Sequence, residues 1–220
     1  LGEILEQGGM RLLVISSGSN GSSFLLNHKV AGGGIIHYDY ALPAPLEARV
    51  RAELGDAPEP GTPNDARNRY IVDAFLTIGL REVDPTVTLM WLSDPDTTAH
   101  RHGIGHPTSI AALARIDREI GRIQEGLADA GLLETVNIWV TSDHGFSTHT
   151  GSIDPRALLA PFEGTLEDGS PRVVAGSGAI YVRDGDRAAI AEIVSALQQT
   201  EEVGAIFTPG ASPGDVEGWV

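Results

Sequence analysis

Two short apolar runs, residues 87–92 (VTLMWL) and 136–141 (VNIWVT), flank a long helical pattern, and each opens into acids and histidines. Runs of this kind, β-branched or aromatic and apolar at nearly every position, read as strands buried on both faces of a parallel sheet. The helix between them is the crossover of a right-handed βαβ unit. In open α/β sheets, ligands gather beyond the carboxyl ends of the strands. The first run hands over to Ser93-Asp94-Pro95-Asp96-Thr97-Thr98-Ala99-His100, and the second to Ser142-Asp143-His144-Gly145.

Asp96 and His100 are spaced i, i+4, so one helical turn or tight loop places both side chains on one face. Asp143 and His144 are adjacent and would point to opposite faces of a continuing strand, unless the backbone leaves the strand at Gly145. A set of imidazoles and carboxylates suits Zn²⁺, with Mn²⁺ or Fe also compatible, whereas Ca²⁺ prefers an all-oxygen shell. Asp96, His100, Asp143 and His144 are therefore the candidate metal ligands. They suffice for one structural zinc or for half of a two-metal site. Asp94 is placed to orient His100 or its loop.

The order Asp96-x-x-x-His100-x-x-Gly103, then a helix carrying Arg115-Ile116-Asp117-Arg118-Glu119-Ile120-Gly121, then Ser142-Asp143-His144-Gly145, resembles the type I phosphodiesterase/nucleotide pyrophosphatase family of the alkaline phosphatase superfamily. The resemblance implies two divalent metals, commonly zinc, with Asp96 and His100 on one and Asp143 and His144 on the other. It also implies hydrolysis of a phosphodiester or nucleotide pyrophosphate bond through a covalent Thr or Ser intermediate. No Asp-then-Thr/Ser strand motif precedes Asp96, and no histidine follows His149. The nucleophile and the remaining ligands are accordingly expected outside the chain, which then holds no catalytic nucleophile and is inactive alone. The implied fold is an alkaline-phosphatase-like three-layer α/β sandwich with a mostly parallel sheet, a single partial catalytic domain over residues 1–220, incomplete at both ends.

Composition narrows the partners. A formal charge of −15 argues against a nucleic-acid duplex, which needs clustered Lys and Arg. An acidic protein that handles small phosphate esters or nucleotides needs local positive charge, which divalent ions supply. With 41% hydrophobic residues and no apolar run of membrane length, the chain reads as globular without a membrane span. Its 220 residues contain no cysteine, which removes disulfides and thiolate metal sites. The resemblance is compatible with an extracytoplasmic parent protein.

Elsewhere the pattern predicts a helix at the start, a buried strand over 10–16, a serine-glycine βα turn over 17–23, and a strand over 35–38. Helices follow over 44–54 and from an Asn64 cap onward, the latter with Tyr70, Ile71, Ala74, Phe75, Ile78 and Leu80 as its buried stripe. The crossover helix is predicted from a Ser109 cap to near Gly131, burying Ile110, Leu113, Ile116, Ile120, Ile123 and Leu127. After Phe146 a short turn or helix over 158–164, two short strands or a hairpin over 172–182, a helix over 187–198 and a last strand over 203–207 are expected. His102 and His106 lie in the loop after His100, and His149 lies near the second cluster. His28 and His37 belong to no constellation. Other hydrolases of the superfamily (phosphonate hydrolase, phosphomutase, sulfatase) and a non-catalytic metal-binding domain are the alternative functions.

Overall fold

A computed structural model describes residues 1–148, 151–176 and 178–210, which group into two compact units, Leu1–Thr148 and His149–Val220. In the first unit, α1 (Gly2–Gln7) leads into the central strand β1 (Leu12–Ser16), then α2 (Asn20–Leu26) and β2 (Gly34–His37). A short return strand, β3 (Ala41–Leu42), which the pattern did not reveal, is followed by α3 (Ala44–Leu54) and α4 (Asp65–Ala74). The helix continues as a π-helical stretch over Phe75–Val83 before β4 (Val87–Trp91), α5 (Asp96–His102) and α6 (Pro107–Asp129).

The sheet has the order β3-β2-β1-β4, parallel except for the antiparallel β2–β3 pair. Because side chains alternate across a strand, β1 serves two cores. Leu13 and Ile15 join Ile36, Val50, Ile71, Phe75 and Ile78 on the α3/α4 side. Leu12 and Val14 join Ile35 and Leu5 on the α1/α2 side. The result is an α/β fold with helices on both faces of a mostly parallel sheet. Gly79 lets the π-helical stretch lie close on β1: a Cβ there would stand 2.8 Å from Leu13 Cδ2.

The predicted stripe is realised across α4 and the π-helical stretch, with Tyr70, Ile71, Ala74, Phe75 and Ile78 buried and Leu80 packed against them. Several local expectations are corrected. Residues 136–141 form no strand: after α6 the backbone turns, with Thr135 and Val136 donating to Leu132 O, and the apolar run then lies on the surface with Trp139 90% exposed. An apolar run signals burial only if a ladder partner accepts it, and β4 pairs with β1 alone among the described residues. On α6, Ile116 and Leu127 are buried as expected, but Ile110 and Leu113 are exposed and the helix buries Ser109 and Ala112 instead. Its cap is His106, whose Nδ1 accepts from Thr108 N–H, rather than Ser109.

The second unit holds α7 (Pro155–Leu159), a short 3₁₀ turn, the antiparallel hairpin β5 (Val173–Gly176) and β6 (Ala179–Val182), and α8 (Arg187–Gln198). Leu159, Val173 and Ile193 form its core, and the Asp186 carboxylate caps α8 by accepting from the Ala188 and Ala189 N–H groups. Residues 203–207 are not a strand, and Phe207 is exposed.

Candidate metal centre

The site is built at the carboxyl ends of β1 and β4. Where β4 ends, Ser93 and Asp94 turn inward, and both are buried. Ser17, just past β1, is bonded to Asn68 and Ser93 through its hydroxyl and receives the Ser93 N–H at 2.9 Å. The Asp94 carboxylate accepts four hydrogen bonds. Asn64 N–H (2.6 Å) and Asn68 Nδ2 (3.2 Å) reach Oδ2, while Thr98 N–H (3.2 Å) and Thr98 Oγ1 (2.7 Å) reach Oδ1. A buried carboxylate is tolerated when donors saturate it in this way. Asn64 stands at the start of α4 as expected, but its side chain donates to Ser93 Oγ instead of capping the helix.

Thr98 is the third residue of α5, so Asp94 satisfies a backbone donor that the helix itself leaves free. At the other end Gly103, with φ +91°, lets the chain leave the helix, and Ser109 Oγ donates to its carbonyl at 2.7 Å. Held at both ends, α5 presents Asp96 and His100 one turn apart, with His100 Nε2 3.4 Å from Asp96 Oδ1.

The second pair arrives from beyond α6. His144 Nε2 lies 3.6 Å from Asp96 Oδ1 and 3.6 Å from Asp143 Oδ2. Asp143 Oδ1 also accepts the His144 N–H at 3.1 Å. The four predicted residues thus form one chain of contacts, although residues 136–141 deliver the second pair as an unpaired segment. His144 Nδ1 lies 3.0 Å from Gly145 O. A proton on Nδ1 satisfies that carbonyl and leaves the Nε2 lone pair facing Asp96. This is the orientation that metal-binding histidines adopt. The Gly145 carbonyl, with Asp143 and Asp96 nearby, raises the His144 pKa above its ordinary value. Phe146 packs edge-on against both imidazoles, with centroids 4.9 Å from His100 and 5.5 Å from His144.

One atom tests whether these residues fit a cation. Asp96 Oδ1 is shielded from solvent and has no hydrogen-bond partner, which is costly for a carboxylate oxygen. Zinc binds imidazole and carboxylate at about 2.0–2.2 Å, so two ligands on one tetrahedral ion stand about 3.3–3.6 Å apart. The 3.4 Å from Asp96 Oδ1 to His100 Nε2 and the 3.6 Å from Asp143 Oδ2 to His144 Nε2 have that spacing. The fit is pairwise: among the described residues no group of three or more His, Asp or Glu side chains stands in a metal-holding arrangement.

The other histidines have separate roles. His102 and His106 stack on each other at 5.0 Å. His37 is fully buried at the end of β2, bonded to Gly18 O and to the Asp39 N–H. His149 lies outside the described residues. On α6, Arg115 pairs with Asp65 at 2.7 Å, and Arg122 pairs with Glu119 and Asp73, so this face is laced with ion pairs. The buried set Ser17, Asn64, Asn68 and Ser93 carries no sequence signal of its own, since each residue type alone reads as a turn or cap. Phe146, next to the DHG triplet, was equally silent.

Residues 29–217 match the family model described as type I phosphodiesterase / nucleotide pyrophosphatase. The human ectonucleotide pyrophosphatase/phosphodiesterase family member 7 is 33% identical over 94 residues, covering 43% of this chain and 19% of the relative. The mouse family member 1 is 38% identical over 61 residues, 28% of this chain and 7% of the relative. Venom phosphodiesterase 2 of Crotalus adamanteus is 36% identical over 61 residues, 28% of this chain and 8% of the relative. In each comparison the match spans under a fifth of the relative's length. No solved structure matches.

Proposed function

This chain belongs to the type I phosphodiesterase/nucleotide pyrophosphatase family of metal-dependent hydrolases, and we propose that it is part of the metal-binding half of such a catalytic domain. The parent protein hydrolyses a phosphodiester or nucleotide pyrophosphate bond. Asp96 and His100 hold one divalent cation, Asp143 and His144 hold the other, and the Thr or Ser nucleophile lies outside residues 1–220. The observation that carries this reading is the shielded, unpartnered Oδ1 of Asp96 between the Nε2 atoms of His100 and His144.

A bound pair of divalent ions, zinc by ligand chemistry with Mn or Fe also compatible, would supply positive charge beside the phosphoryl oxygens and the attacking oxygen. The chain's own residues orient that charge. Phe146 fixes the rings of His100 and His144, and the Gly145 carbonyl holds the tautomer of His144. The substrate is a small phosphate ester or nucleotide, since a net charge of −15 disfavours a duplex. The word "ectonucleotide" in the relatives' names supports placing the parent outside the cytoplasm. Among the described residues no helix is long and apolar enough to cross a membrane.

Turnover of a chromogenic phosphodiester with added zinc tests the reading, comparing this chain with a version extended at both ends into its parent. Activity confined to the extended protein, and lost on Asp96→Ala, is expected. Equal turnover by the two would place the nucleophile within residues 1–220, and activity that survives both a chelator and Asp96→Ala would remove the metal from the reaction.

A further inference from the structure

The buried carboxylate beside the site is not one of the candidate ligands, yet it contacts the helix that carries two of them. Asp94 is 3% exposed and accepts four hydrogen bonds, two of them from Thr98. Thr98 is itself fully buried and lies midway between Asp96 and His100 on α5. The other two donors, Asn64 N–H and Asn68 Nδ2, belong to the start of α4, which packs in the core through Ile71 and Ala74. A rigid path therefore runs from the core through α4 to Asp94, then to Thr98 and the inner face of α5. The outer face of that turn bears Asp96 and His100, with Oδ1 and Nε2 3.4 Å apart.

We propose that Asp94 is a positioning residue that fixes the rotation and depth of α5, and so sets the geometry in which Asp96 and His100 engage a divalent cation. The inference rests on the metal-binding reading of the site given above. A seven-residue helix has little stability of its own, so without this anchor its ligand pair is free to rotate. Outer partners that orient ligands are worth about 10- to 100-fold in metal affinity. A carboxylate is suited to the task because each of its oxygens accepts two hydrogen bonds at once. Asparagine in its place would turn an NH₂ toward either the α4 donors or the Thr98 donors.

The test uses cobalt(II) absorption and zinc competition on the chain carrying Asp94→Asn, Thr98→Val or Thr98→Ser, with thermal melts alongside. Thr98→Val removes the hydroxyl donor at nearly constant shape, and Thr98→Ser keeps it. The expected result is a visible cobalt band in the wild type, altered in shape in Asp94→Asn and Thr98→Val, with zinc affinity about 10- to 100-fold weaker. Thr98→Ser restores both the band and the affinity to within about threefold of wild type. Lower melting temperatures with an unchanged band and unchanged affinity would overturn the inference and leave Asp94 as a structural cap. If Asp94→Asn fails to fold, the Thr98→Val and Thr98→Ser pair decides the matter alone. A wild-type chain that binds neither metal would remove the metal-site reading itself and this inference with it, a result distinct from unchanged affinity in the variants.

Discussion

Oδ1 of Asp96 stands between two imidazoles delivered from opposite ends of α6, 3.4 Å from Nε2 of His100 and 3.6 Å from Nε2 of His144. A carboxylate oxygen hidden from water, with no hydrogen bond, is unfavourable unless something positive faces it. A cation or an imidazolium proton meets that need, and the two Nε2 atoms are positioned for either.

The apolar run 136–141 lies on the surface, so its largest side chain contributes little to stability. Trp139 is 90% exposed, and Trp139→Ser should change the unfolding free energy by less than about 0.5 kcal/mol. Urea denaturation checks this. A loss of several kcal/mol would show that the segment is packed as a strand.

Gly79 is where the π-helical stretch meets β1, and an added methyl would stand 2.8 Å from Leu13 Cδ2 and 3.1 Å from Phe75 Cδ2. Leu13 is fully buried and cannot swing into solvent. Gly79→Ala should therefore destabilise by about 1–3 kcal/mol from overpacking, outweighing the gain of about 0.5–1 kcal/mol that alanine normally brings to a helix. Stability equal to wild type would mean that the helix stands further from the sheet.

His37 makes stability depend on pH. Its Nε2–H donates to Gly18 O at 2.9 Å and its Nδ1 accepts the Asp39 N–H at 3.2 Å, so the neutral ring is fully satisfied. Burial pushes its pKa below the ordinary 6.5. As pH falls through 6.5 the unfolded chain takes up a proton that the folded chain refuses, so this contribution is full above 6.5 and is lost toward the lower folded value. The thermal midpoint should drop between pH 7.5 and 5.5 in wild type and drop less in His37→Gln. Parallel pH profiles for the two proteins would exclude His37 as the cause.

The sheet core was legible because its signals are strong: residues 12–16 are apolar and buried throughout, and the α4 stripe repeats with helical period. The i, i+4 spacing of Asp96 and His100 likewise forecast their shared turn on α5. Residues 136–141 were misread because an apolar run gives no information about whether a ladder partner is present. Ile110 and Leu113 were misread because the α6 stripe is wide enough to be rotated toward Ala112 and Ser109. Asn64 and Ser17 show in the sequence only as a cap and a turn residue, and Asn68 not at all, because their bonds to Asp94 and Ser93 cross long sequence separations.

The central claim is that Asp96 and His144 are metal ligands, one on each of two cations. Zinc titration by calorimetry on the chain, beside Asp96→Ala and His144→Ala, tests it most directly. Zinc binding by the wild type and at least about tenfold weaker affinity in each variant are expected, with folding preserved because both side chains are roughly half exposed. Unchanged affinity in both variants, or no binding by the wild type, would contradict it.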